Sequence, residues 1–84
     1  MVSSGLLVNT RRGKLDRVQS DISTMPNAEI NSIIDANRLA IIVSASSLEE
    51  KKALVKKIEK IDGVISVNLA FDHFEEGDTN ESNS

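Results

Sequence analysis

The sequence predicts an α+β fold with the element order βαββαβ, in which two helices pack on one face of a four-stranded antiparallel sheet. Two segments carry apolar residues at the spacing of a helix, and four have the composition or alternation of strands. A weak internal repeat supports two similar halves, because Leu6-Leu7-Val8 corresponds to Ile41-Ile42-Val43 and Ile30 to Ile65. This arrangement is called ferredoxin-like.

The first half begins with a strand and a helix. Ser4 to Thr10 contains an apolar run and predicts a short buried strand. A helix is predicted from about Lys14 to Thr24, and Pro26 ends it because the residue before a proline is pushed out of the helical region. Its apolar face consists of Leu15, Val18, Ile22 and Met25.

The middle of the chain predicts a hairpin, and a fourth strand follows later. Ala28 to Asp35 has the pattern of a half-buried or edge strand, Leu39 to Val43 that of a central strand, and Asn37-Arg38 a turn between them. The fourth strand alternates clearly. Four residues are expected to face the helices: Ile65, Val67, Leu69 and Phe71. Four are expected on the opposite side: Ser66, Asn68, Ala70 and Asp72.

The second helix has a defined beginning and end. Ser47-Leu48-Glu49-Glu50 has the spacing of a capping box, in which the Ser47 hydroxyl accepts a hydrogen bond from an N–H of the first turn. Asp62-Gly63 ends the helix, with the glycine in a left-handed conformation. The apolar stripe between these ends consists of Leu54, Val55, Ile58 and Ile61.

Length and composition narrow the possible functions. The 84 residues include no Cys and one His, which leaves room for one small domain and excludes thiolate metal sites, iron–sulfur clusters and thiol redox chemistry. No loop has the acidic spacing that calcium requires, so we expect no metal and no cofactor. His73 has no acid or nucleophile beside it in a catalytic pattern, and we therefore expect no enzymatic activity.

The net charge of −3 is unevenly distributed, because acids without any Lys or Arg occupy the C-terminal end. We expect residues 1–74 to form the domain and residues 75–84 to form a disordered acidic tail. The sequence has neither a signal peptide nor a membrane-spanning run, which predicts a cytoplasmic protein without membrane insertion. The balance of acidic and basic residues does not favour binding of nucleic acid.

The sheet face without helices is the candidate binding surface. The first and third strands are central in this topology, so Leu7, Ala40 and Ile42 are expected to form a modest apolar patch. Such residues are compatible with an ordinary surface, since more than half of any protein surface is apolar. An apolar patch rimmed by polar groups is equally typical of a peptide groove.

Other functions of the same fold need residues that are absent. A heavy-metal-associated domain needs a Cys-x-x-Cys loop, and this sequence has no cysteine. An RNA-recognition domain needs aromatic residues on the central strands, whereas the two aromatic residues, Phe71 and Phe74, lie at the end of the last strand. The function of a small-ligand regulatory domain of the ACT type remains an alternative.

Three segments carry a resemblance to a known family: Ser3 to Val8, Met25 to Ile30, and Asp62 to Glu76. Their order and spacing, together with the acidic end, resemble the NapD family of assembly chaperones for periplasmic nitrate reductase. The resemblance covers about Ser3 to Glu76. The sequence departs from the family pattern at Asn27-Ala28, where a turn with glycine is usual, and at Gly5 in the first strand.

The resemblance implies a cytoplasmic chaperone that binds the twin-arginine signal peptide of the nitrate reductase catalytic subunit. Holding the peptide would delay export until the molybdopterin cofactor is inserted. The family binds the peptide on the open sheet face. The residues expected to form the site are Leu7, Ala40, Ile42, Asn68 and Ala70, with Asp35, Asp72 or Glu75 attracting the arginines. We expect a monomer, whereas a homodimer would favour the alternative ACT-type function.

Overall fold

The computed structural model describes residues 1–74 and confirms the predicted order of elements. The elements are β1 (Val2–Thr10), α1 (Leu15–Ser23), β2 (Ala28–Asp35), β3 (Arg38–Ala45), α2 (Leu48–Glu59) and β4 (Val64–Phe74). The strands form one antiparallel sheet in the order β2-β3-β1-β4, so β1 and β3 are central and β2 and β4 are edges. The predicted tail of residues 75–84 lies outside the described residues.

The hydrophobic core lies between the helices and one face of the sheet. Alternate side chains of the two central strands point into it because successive residues of a strand face opposite sides. α1 contributes Val18 and Ile22, and α2 contributes Ile58, all fully buried. The strand residues of this cluster are Leu6, Val8, Leu39, Ile41 and Val43. Because both helices cover the same face, the other face of the sheet has no helix over it.

α2 begins with the Ser47 cap that its sequence predicts, whereas Glu50 reaches one residue further back than in a capping box. The Ser47 hydroxyl accepts a hydrogen bond of 3.1 Å from the Glu50 N–H. The Glu50 carboxylate accepts one of 2.6 Å from the N–H of Ser46, which precedes the cap, and this bond holds the pKa of Glu50 below its usual range. After the helix, Gly63 has φ of +100°, which confirms the predicted left-handed glycine.

β4 departs from the predicted alternation at a bulge near its C-terminal end. Leu69 pairs with Leu6 and faces the helices as expected, but the register then shifts by one residue. Ala70 is the extra residue of this bulge, and Phe71 pairs with Gly5. The prediction that Phe71 faces the helices is therefore wrong, because the bulge turns its side chain to the opposite face.

A second bulge lies at the start of β4. Thr10 pairs with Val64 and Asn9 pairs with Ser66, which leaves Ile65 as the extra residue. Its side chain is 65% exposed, so the prediction that Ile65 faces the helices is also wrong. Val64 packs against the core in its place.

β2 confirms the prediction of an edge strand but is also bulged. Simple alternation predicts that Ser32 lies on the same side of the sheet as Ile30. The register shifts between these two residues, however, and Ser32 lies opposite Ala40 on the other side. The turn that follows consists of Ala36 and Asn37, one residue earlier than predicted.

We expect Ser47→Ala to lower the free energy of unfolding by about 1 kcal/mol, because an N–H in the first turn of α2 loses its acceptor. Urea unfolding of the variant measures this loss. Ser20→Ala is the control, since Ser20 is exposed within α1 and its hydroxyl has no hydrogen bond among residues 1–74. An equal loss in both variants would show that the cap contributes nothing specific.

Candidate functional site

The face of the sheet opposite the helices, here called the open face, is formed by side chains that the strand register aligns in rows. One row runs from Ile42 across Gly5 to Phe71, and the next runs from Ala40 across Leu7 to Asn68. The residues at the two ends of the face are polar: Ser3, Ser44 and His73 at one end, and Asn9, Arg38 and Ser66 at the other. The predicted placement of Leu7, Ala40, Ile42 and Asn68 on this face is confirmed.

The Phe71 ring lies directly against Gly5 at the centre of the open face. A Cβ atom on Gly5 would lie 2.7 Å from both Cδ2 and Cζ of the ring, closer than carbon atoms approach without displacement. The ring remains 50% exposed, and Leu7, Ala40 and Ile42 are partly exposed beside it. These four apolar residues are called the apolar strip below.

Phe71 is a candidate site residue that the sequence-based prediction places on the wrong face. The sequence does contain a signal for it, because a glycine inside a strand marks a bulge or a close approach of another group. Gly5 is such a glycine, and the β4 bulge places the ring over it.

Glu29 is a second residue that the sequence-based prediction missed. It lies on β2 opposite Ile42, at one end of the row that continues to Phe71. Its side chain is exposed, and within residues 1–74 no hydrogen bond or ion pair engages its carboxylate. The hairpin register would have identified it, because a residue opposite Ile42 shares the face of Ile42.

Asp72 lies on the helix side of the sheet, and its predicted orientation toward the open face is therefore wrong. After the bulge, Asp72 pairs with the buried Ser4. The Ser4 hydroxyl donates to its carboxylate, and Lys51 Nζ of α2 lies 3.0 Å and 3.2 Å from its two oxygens. The hydrogen bond from Ser4, followed by that from Lys51, lowers the pKa of Asp72. The carboxylate thereby links β1, β4 and α2.

The remaining predicted site residues have different surroundings. Asp35 lies at the β2–β3 turn, where its carboxylate accepts hydrogen bonds from the Arg38 guanidinium at 2.8 Å and from the Asn37 N–H at 2.9 Å. The Arg38 hydrogen bond is the larger cause of the lowered pKa of Asp35. Ala70 is the exposed extra residue of the bulge, and Glu75 lies outside the described residues. Their roles in binding stay predictions.

The open face offers an apolar surface, and the carboxylate at one edge of it, that of Glu29, has no partner within residues 1–74. Within residues 1–74, no group of three or more His, Asp or Glu side chains is arranged to hold a metal ion. In the same part of the chain, every helix is too short or too polar to cross a bilayer.

A family model described as NapD protein matches residues 2–76. The chain belongs to the NapD family. Among solved structures, the solution structure of the E. coli Tat proofreading chaperone protein NapD is similar, with a TM-score of 0.75 and 20% sequence identity. The match covers 88% of this chain and 79% of that one, and it shows the shared fold. No curated protein sequence matches this chain.

Membership of the NapD family supports a chaperone role. The structure also accounts for both departures from the NapD pattern. Gly5 makes room for the Phe71 ring. Asn27-Ala28 forms its turn without glycine because neither residue has a positive φ. The Asn27 carbonyl accepts a 2.9 Å hydrogen bond from the N–H of Ser44.

We expect Asp72→Asn to lower the free energy of unfolding at pH 7 by about 1 kcal/mol, because two hydrogen bonds lose their charged acceptor. Since the folded protein lowers the pKa of Asp72, this stabilisation is present above about pH 4, the pKa of an unfolded aspartate, and is lost as the pH falls further. Urea unfolding at pH 7, 5 and 3 should show the two proteins converging.

Glu59→Gln is the control for this prediction. Glu59 is exposed on α2 and makes no hydrogen bond or ion pair within residues 1–74. A difference between the wild type and Asp72→Asn that stays constant from pH 7 to 3 would contradict the role assigned to the Asp72 carboxylate.

Proposed function

We propose that this member of the NapD family is a cytoplasmic chaperone that binds the twin-arginine signal peptide of the periplasmic nitrate reductase catalytic subunit. By holding the peptide, it delays export until that subunit has received its molybdopterin cofactor. The name of the E. coli relative, a Tat proofreading chaperone, supports this proposal. The observation that carries it is the apolar strip at the centre of the open face, beside the Glu29 carboxylate, which has no partner within residues 1–74.

The apolar strip suits the apolar part of a signal peptide. Ordering a flexible peptide costs about 2–5 kcal/mol, which burial of apolar surface must exceed. Each Å² of buried apolar surface contributes about 25 cal/mol, so a half-exposed phenylalanine next to an isoleucine and a leucine offers a suitable surface. The strip lies on the central strands and the adjoining β4, where the backbone is held by neighbours on the sheet.

Among residues 1–74, Glu29 is the carboxylate best placed to receive an arginine of the peptide. A guanidinium pairs with a carboxylate through two parallel hydrogen bonds, and this pairing requires free acceptor oxygens. The Asp35 carboxylate is already bound to Arg38, and Asp72 is bound to Ser4 and Lys51 on the other side of the sheet. We therefore assign to Glu29 the role that the sequence gives to Asp35 or Asp72, while the role of Glu75, which lies outside the described residues, stays a prediction.

The small-ligand function of the ACT type is the alternative that the sequence leaves open. The family match supports the chaperone function over it. The two functions also differ in their ligands, so a single binding experiment separates them.

We expect Ile42→Glu and Glu29→Lys each to weaken binding of a synthetic twin-arginine signal peptide by about tenfold or more, measured by isothermal titration calorimetry. The first change puts a charge into the apolar strip, and the second repels the arginines. Leu48→Glu is the control, because Leu48 is 46% exposed on α2, behind the sheet. Unchanged affinity in both site variants would refute the site. A metabolite that raises the Tm, with no response to the peptide, would favour the ACT-type function.

We expect Gly5→Ala to preserve the fold and weaken peptide binding several-fold, because the new methyl group displaces the Phe71 ring from the strip. The ring is at the end of a half-exposed side chain and can swing outward, so the free energy of unfolding should change by less than about 1 kcal/mol. Calorimetry with the same peptide measures the effect.

A double-mutant cycle tests whether Gly5→Ala acts through the ring. In a Phe71→Ala background, where there is no ring to displace, the glycine substitution should change peptide affinity by less than about twofold. An equal loss of affinity in both backgrounds would show that Gly5 affects binding by another route.

A further inference from the structure

A groove of about 350 Å³ lies between α2 and β4, on the helix side of the sheet and therefore away from the open face. We call it the α2–β4 groove. Its apolar lining consists of Leu6, Val55, Val67 and Leu69. Its polar lining consists of Lys51, Lys52, Lys56 and Glu59.

The apolar lining continues the hydrophobic core toward the edge of the sheet, where it is only partly covered. Leu69 and Leu6 pair across β4 and β1, yet Leu69 is 55% exposed whereas Leu6 is 2% exposed. The difference arises because β4 is the edge of the sheet and no further strand lies beside Leu69. A ligand seated there would bury Leu69 and extend the core beyond the edge.

The edge of β4 can also bind a peptide through its backbone. Within residues 1–74, β4 pairs with β1 alone, so its outer N–H and C=O groups face away from the sheet. Between the two bulges, residues 66–69 keep a regular strand register. Such an edge accepts an extended peptide as an added strand, and alternate side chains of that peptide then point to the same side of the sheet.

The charges around the groove favour an acidic ligand. Lys51 is held by Asp72, but Lys52 and Lys56 make no ion pair in the described part of the chain. Glu59 is the one acidic residue among those that line the groove. This excess of positive charge disfavours a basic segment such as one with paired arginines, so the groove differs in charge preference from the edge of the open face at Glu29.

We propose that the α2–β4 groove binds an extended, acidic segment of a partner protein. The segment adds to the sheet at β4, places apolar side chains over Leu69 and Val55, and sets acidic side chains against Lys52 and Lys56. Because the groove and the open face are on opposite sides of the sheet, both can be occupied at the same time.

The test uses the full chain and a fluorescein-labelled synthetic peptide with the sequence Glu-Thr-Val-Thr-Leu-Thr-Val-Thr-Glu. In an added strand its apolar residues and its two acidic residues point to the same side, toward the groove, and its threonines point to the other side. Fluorescence anisotropy should show saturable binding. The double variant Lys52→Glu/Lys56→Glu should weaken it by about tenfold or more. The matched control is Lys57→Glu/Lys60→Glu, which makes the same charge change on residues of the α2 region that do not line the groove and should change affinity by less than about twofold.

Two further measurements identify the mode of binding. A peptide with proline in place of its central leucine should lose affinity because proline cannot donate to the β4 edge. Amide chemical shifts of the ¹⁵N-labelled protein should change at residues 51–56 and 66–69 and not at Leu7, Ala40 and Ile42 of the open face.

Three results would overturn the proposal. One is the absence of binding in both the wild type and the control variant, and another is equal affinity in all the lysine variants. The third is that, in sedimentation velocity, the wild type dimerises and Lys52→Glu/Lys56→Glu does not. This result would assign the groove to a second copy of this chain. None of these results depends on twin-arginine peptide binding, which the open-face variants test separately.

Discussion

Across the β1–β4 pair, the extra residue Ala70 reverses which side chains of β4 face the helices, and both surfaces of the sheet depend on that reversal. Before the bulge, Val67 and Leu69 continue the core pattern; after it, Phe71 turns to the open face and Asp72 turns to α2. If Ala70 instead paired with Gly5 in a regular register, Phe71 would lie opposite Ser4 and face the helices, and Asp72 would lie opposite Ser3 on the open face. A single bulge thus places an aromatic ring on the open face and a carboxylate that contacts α2 on the opposite face.

The sequence was sufficient to predict the elements because their signals are local. Apolar spacing located both helices, the capping box at Ser47 located the start of α2, and Gly63 located its end. The order of strands followed from the βαββαβ pattern, and so did the central position of Leu7, Ala40 and Ile42.

The orientation of the β4 residues could not be predicted with the same success, because it depends on pairing with a distant strand. Alternation has a period of two, so one unseen bulge moves every later side chain to the other face. This error affected Phe71 and Asp72, whereas Asn68, which precedes the bulge, lies on the expected face. Glu29 was missed for a related reason, since its neighbour Ile42 belongs to another strand. The glycine at position 5 was the one local trace of the long-range contact.

β1 comes first among the elements and β4 comes last, yet the two lie side by side with Val2 opposite Phe74. During synthesis, β1 can pair with β3 as soon as the hairpin has been made, but its other edge stays open until the last strand leaves the ribosome. Contacts between such distant positions form late and slow folding, since a long loop must close before they form. A chain that stops before β4 exposes the unpaired edge of a central, apolar strand, which is a site for aggregation. The complete sheet therefore forms only after translation has passed Phe74, so a nascent chain presents neither the finished open face nor the groove beside α2.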